Sequence, residues 1–105
     1  MPQWVPACKI DDIELEDVKR FDFDGETYII IRSPDDKFYA TDGLCTHEKV
    51  HLSEGLVFEN TIECPKHNGS FDYTTGEALV PPVCIHLKKY PVRVDGDTVL
   101  IDVSL

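Results

Sequence analysis

Cys45-Thr46-His47 and Cys64-Pro65-Lys66-His67 are separated by sixteen residues, and each string supplies one thiolate and one imidazole. Residues of these types can grip a sulfide-bridged pair of irons asymmetrically, Cys45 and Cys64 on one iron, His47 and His67 on the other. One residue between Cys and His in the first string, and two in the second, let each loop set its cysteine inward and its histidine further out. Two ferric ions and two sulfides sum to about +2, so two thiolates leave a neutral oxidised unit where four would leave about −2. The electron is then easier to accept, and neutral imidazoles favour its residence on the iron they hold. His47 and His67 would therefore mark its exit.

Other chemistries draw on the same residues. A Cys₂His₂ zinc site needs the same four ligands, but zinc modules usually pair Cys with Cys and His with His, whereas each string here is mixed. A Cys–His nucleophile would need an orienting group and an oxyanion-hole motif, and neither accompanies these pairs. His51 and His86 read as surface or satisfied structural histidines, since four ligands already suffice. No 2-His-1-carboxylate iron site can be assembled convincingly from the remainder, which argues against an enzyme in its own right. Cys8 and Cys84 read as thiols behaving as small hydrophobes.

The elements that must position these residues are short and β-rich, with turn signals from end to end and no sustained helical period, so the expected class is all-β. Val18 to Phe23 leads through Asp24-Gly25 into Thr27 to Arg32, and Ser33-Pro34-Asp35-Asp36 turns the chain into Lys37 to Thr41. Lys89 to Val94 and Thr98 to Val103 flank Asp95-Gly96, which tolerates the positive φ of a tight hairpin. Ile10 to Val18 has room for a helical turn, but its acidic, unpatterned character argues for an ordered loop. Between Gly43 and Cys84, glycines and prolines punctuate pieces such as Leu56 to Phe58 and Thr61 to Cys64. This stretch reads as an inserted small subdomain, residues 43–84, within a single domain spanning 1–105. Both ligand strings fall in its loops, whose backbone N–H groups could point at sulfur.

A chain of 105 residues with 20 Asp+Glu against 10 Lys+Arg carries a formal charge of −10. Phosphate-backbone binding is disfavoured and docking onto basic protein surfaces is favoured, although such acidity also simply confers solubility. No nucleic-acid partner is expected. Neither a signal peptide nor a membrane span is visible, the longest apolar run being Tyr28 to Ile31, so the expectation is a cytoplasmic protein.

Extended to Cys64-Pro65-Lys66-His67-Asn68-Gly69-Ser70-Phe71-Asp72 and Thr75-Gly76, the ligand strings closely resemble the Rieske [2Fe–2S] family, particularly its small bacterial ferredoxins serving multicomponent oxygenases. The resemblance covers nearly the whole chain. It implies the Rieske fold, an antiparallel β-sandwich base with an inserted cluster-binding subdomain. It implies one [2Fe–2S] cluster, with Cys45 and Cys64 on the inner iron and His47 and His67 on the outer, and a Pro81-Pro82 loop shielding it. It also implies a monomeric electron carrier, working between a flavin- or iron–sulfur-containing reductase and a terminal oxygenase. The small subunit of assimilatory nitrite reductase is the alternative resemblance. His47-Glu48-Lys49-Val50-His51 hints faintly at ferredoxins of rhizopine-catabolic oxygenases.

The departures carry information. Val50 and Lys66 stand where respiratory and photosynthetic Rieske proteins have an extra disulfide-forming pair, so that clamp cannot form. Gly69 and Phe71 occupy the places of hydroxyl donors to sulfur, and losing donors makes reduction harder. A potential toward the low end of the roughly −150 to +300 mV Rieske range follows. Asn68 replaces a common glycine, a mild change because Asn tolerates left-handed backbone angles.

Overall fold

Tyr28-Ile29-Ile30-Ile31 is the apolar run around which the fold is built, because both faces of the strand that carries it are buried. The computed structural model describes residues 1–46, 49–66, 69–81 and 85–104. Eleven strands form within them: β1 (Trp4–Lys9), β2 (Asp17–Phe23), β3 (Glu26–Arg32), β4 (Phe38–Asp42), β5 (Leu56–Phe58) and β6 (Thr61–Glu63). The remainder are β7 (Ser70–Asp72), β8 (Ala78–Val80), β9 (Lys89–Tyr90), β10 (Val92–Asp95) and β11 (Thr98–Asp102). The protein is all-β, with only single turns of 3-10 helix at Ile10–Asp12 and Leu52–Glu54.

The strands make three antiparallel sheets, ordered β1-β11-β10, β2-β3-β4-β9 and β5-β6-β7-β8. Side chains alternate across a strand, so β3 serves two cores at once. Tyr28 and Ile30 join Val5, Ala40, Tyr90, Val99 and Ile101 in a core against the terminal sheet. Ile29 and Ile31 face the other way, joining Leu52, Val57, Ile62, Phe71, Tyr73 and Leu87 in a core against the β5–β8 sheet. Each such side chain fully buried is worth roughly 1.5–3 kcal/mol. Cys45 and Cys64 belong to this second core.

The turns follow their residue types. Asp24 and Gly25 both take positive φ, 51° and 82°, between the paired residues Phe23 and Glu26, the two-residue hairpin turn whose twist matches the strands. Gly96, at φ 64°, opens the two-residue turn between Asp95 and Thr98.

Two expectations are corrected. Lys89 to Val94 is not one strand: Lys89–Tyr90 pairs with β4, while Val92–Asp95 pairs with β11 in another sheet. Pro91, which has no N–H for a ladder, lies where the chain changes sheets. Ile10 to Val18 is not wholly loop, since it contains the Ile10–Asp12 turn and runs into β2. β1 had no clear signal of its own. Its Pro6 sits in an edge strand beside a bulge between Pro6 and Cys8, one of the few places a strand admits proline.

Candidate functional site

Each cysteine string starts at the foot of a loop closed in the same way. The Cys45 N–H donates to the Val50 carbonyl at 2.9 Å, and the Cys64 N–H donates to the Gly69 carbonyl at 2.7 Å. The bridge Leu44↔His51 stands directly below the first loop, and the pair Glu63↔Ser70 directly below the second. Both cysteines thus occupy the anchored position of their loops. Their own N–H groups are spent on closing the loops.

Cys45 is 4% exposed and Cys64 is 1% exposed, both within the core shared by the β3 and β5–β8 sheets. No disulfide forms among the described residues. Two buried thiolates without a cation would be costly, so the pair suits a soft, positively charged centre. His47 and His67, the other two predicted ligands, lie outside the described residues, as do Pro82 and Cys84.

Phe71 is fully buried in the same core as the two cysteines. Its ring adds apolar packing to the core that contains both thiols. Tyr73 packs beside it, also fully buried, its hydroxyl donating to the Glu59 carbonyl and its pKa pushed up to about 12 by burial, with the neighbouring Tyr39 adding. Gly76, at φ +84°, takes a conformation that suits glycine, and a Cβ there would lie 2.3 Å from the Leu87 carbonyl oxygen.

The leftover histidines, His51 and His86, are both hydrogen-bonded. His86 accepts the Ala78 N–H through Nδ1 at 2.9 Å. His51 is engaged through both ring nitrogens, Nδ1 accepting the Ser53 N–H at 3.1 Å and Nε2 lying 2.7 Å from Thr27 Oγ1. Burial is the main cause that pushes the His51 pKa down, Arg20 adding to it against Asp22 and Glu54. Cys8 is half-buried, and burial raises its pKa. Sequence reasoning passed over Thr46, whose hydroxyl donates to the Ile85 carbonyl at 2.6 Å and ties the first loop to the segment after β8. Its place between Cys45 and His47 was the available signal.

A β frame that seats two buried thiols at the feet of matched loops defines a small scaffold for a thiolate-bound redox centre. Residues 3–91 match the Rieske [2Fe–2S] domain, and the chain belongs to that family. It is 38% identical over 102 residues to the ferredoxin component of the naphthalene 1,2-dioxygenase system of Pseudomonas aeruginosa, covering 97% of each chain. Among solved structures, the ferredoxin of carbazole 1,9a-dioxygenase from Nocardioides aromaticivorans IC177 superposes with a TM-score of 0.88 at 32% identity, over 97% of each chain. A chain from a complex of reduced oxygenase and oxidized ferredoxin in carbazole 1,9a-dioxygenase gives a TM-score of 0.89 at 31% identity, over 94% of this chain and 92% of that one. A nitrite reductase small subunit, at 23% identity, shares the fold alone. The cofactor of this protein is one Rieske [2Fe–2S] cluster, and the protein is an electron-carrying ferredoxin, not a catalytic oxygenase.

Proposed function

We propose that this chain takes single electrons from a flavin- or iron–sulfur-containing reductase and passes them to a terminal oxygenase that acts on an aromatic ring. Cys45 and Cys64 hold the inner iron in this reading, and His47 and His67 hold the outer one. The observation that carries it is the pair of buried thiols at the feet of two loops closed alike, each with a histidine two or three residues further on. When bound, the cluster supplies a reversible one-electron change. The protein's residues exclude water from the thiolate side, through Leu52, Ile62, Phe71 and Tyr73, and leave the histidine side for partners.

The surroundings of the loops support transient docking. Leu44, Val80 and Ile85 are 39%, 46% and 62% exposed, and Pro81, Lys49 and Lys66 are exposed too. We read residues 1–105 as one domain, with 43–84 as the cluster-binding part; the whole β5–β8 sheet and both cysteine loops fall inside that range. A cytoplasmic monomer fits this role, and no helix of the described residues is long and apolar enough to cross a membrane.

Anaerobically purified protein is expected to contain iron and acid-labile sulfide in equal amounts and to turn over with a reductase and oxygenase, one product per reductant consumed. Stoichiometric zinc without sulfide would overturn the reading. For the ligands, His67→Cys should shift the potential negative or lose the cluster, and His86→Ala should do neither. Equal damage from the two would mean the ligands are misassigned.

A further inference from the structure

His51 does more than satisfy its own nitrogens. Its backbone bridges Leu44 at the foot of the first cysteine loop, and its ring is fixed from several sides by residues far apart in sequence. The Ser53 N–H, 3.1 Å from Nδ1, makes that nitrogen the acceptor. Nε2 therefore carries the proton and donates it to Thr27 Oγ1 at 2.7 Å. The Thr27 hydroxyl passes its own proton on to Asp22 Oδ1 at 2.5 Å, and Arg20 Nε holds both Asp22 oxygens at 3.1 Å. From Ser53 to His51, Thr27 and Asp22 each group donates to the next or is held by it, and the Arg20 Nε–H is shared between the two Asp22 oxygens at the end of the chain.

The backbone repeats the link. The Gly43 N–H donates to the Thr27 carbonyl at 3.0 Å, and the Leu52 N–H donates to the Gly43 carbonyl at 2.8 Å. A Cβ on Gly43 would lie 2.7 Å from His51 Nε2, so the ring lies directly over this glycine. On its outer side is a cavity of about 490 Å³, bordered by Arg20, Asp22, Thr27, Leu44, Lys49 and His51. An imidazole released from Thr27 has room to swing into it.

We propose that His51, oriented by Thr27 and Asp22, is a positioning residue for electron transfer: it clamps the foot of the loop that carries Cys45 to the central sheet and holds that thiolate in one orientation. The proposal rests on the reading of Cys45 as a cluster ligand. A single orientation gives one redox centre, whereas a loosened foot gives several.

Thr27→Val keeps the shape of the side chain and removes the hydroxyl. In holoprotein, the electron paramagnetic resonance lines of the reduced state are expected to broaden or split. Iron loss to a chelator, followed well below the unfolding temperature, should speed up about fivefold, the equivalent of roughly 1 kcal/mol for one net hydrogen bond. Thr27→Ser should restore both. If Thr27→Val fails to fold, His51→Ala is measured in its place with the same expectation. Unchanged resonance lines and chelation rate, or a lowered unfolding temperature alone, would overturn the proposal. Cys45→Ala, which offers no ligand atom, separates the two readings: a full complement of sulfide in that variant would remove Cys45 as a ligand, whatever Thr27→Val does.

Discussion

The loop from Cys45 to Val50 and the loop from Cys64 to Gly69 close with equivalent hydrogen bonds, at 2.9 and 2.7 Å, yet they are mounted by different means. The second stands on a hairpin continuous with itself: Ile62 pairs with Phe71 and Glu63 with Ser70, and both apolar residues are fully buried. The first leans on partners distant in sequence, Thr27 through His51 and Ile85 through Thr46. A mount of apolar packing and one of polar links should therefore fail differently. The first kind of damage reaches the whole core, the second only one loop.

The largest effect is expected at the second mount. Phe71→Ala removes a fully buried ring from the core that also contains Cys45, Cys64, Ile62 and Tyr73. Truncations of this kind cost about 3–5 kcal/mol, a large part of the stability of a small domain. Denaturant unfolding should show that loss. If Phe71→Ala instead unfolds like the parent and merely sheds iron faster, the second loop is not mounted on the core.

Gly43→Ala probes the first mount. The added methyl would sit 2.7 Å from His51 Nε2 and 3.0 Å from the Tyr28 backbone nitrogen. Overpacking of this order costs about 1–3 kcal/mol. Because one of the two clashes is with the imidazole, Gly43→Ala combined with His51→Ala should be less damaging than the sum of the two single changes. Strict additivity would show that ring and glycine do not share a seat.

The contrast between the loops also explains what could be read in advance. The second mount is local, so its strands at Leu56 to Phe58 and Thr61 to Cys64 were visible as short apolar pieces between turn residues. The hairpin of β2 and β3 was equally plain, since Asp24-Gly25 is a turn signal between two apolar segments. The mixed Cys/His strings pointed to an iron–sulfur centre, with a zinc site as the rival on the same residues, and the buried positions of Cys45 and Cys64 suit either thiolate-bound centre. The seat of His51 was not legible, because nothing near it in sequence points to Thr27. The same applies to the pairing of Trp4 with Asp102, which closes the terminal sheet across nearly the whole chain. Pro91 was legible as a residue but not in its effect, because the passage from β4 to β11 depends on both partners being in place.

Thr46→Val is a finer probe. It removes one hydroxyl, the donor to the Ile85 carbonyl at 2.6 Å, and leaves that carbonyl in an exposed region where water can replace it. About 1 kcal/mol or less is expected. The readout is faster iron loss at nearly unchanged unfolding temperature, with the effect at the first loop only. A collapse of the whole fold would show that this polar link supports more than its loop.

Acidification should separate the two mounts most gently. Burial depresses the His51 pKa in the folded protein, while the unfolded chain has the ordinary value of about 6.5. Below that value the unfolded state takes up the proton first, so the stability that neutral His51 contributes is complete above about pH 6.5 and declines as the pH falls toward the folded pKa. Asp22, whose pKa is lowered chiefly by the Thr27 hydroxyl and then by Arg20, holds its contribution until the pH falls below the ordinary Asp range. Unfolding temperatures compared between about pH 7.5 and about pH 5.5 should therefore fall further for the parent than for His51→Gln. Phe71→Leu, which alters only the apolar mount, should keep the parent's slope. A parent that gains stability on acidification relative to His51→Gln would reverse the sign and mean that the imidazole is held charged, with its proton shared differently among Thr27, Asp22 and Ser53.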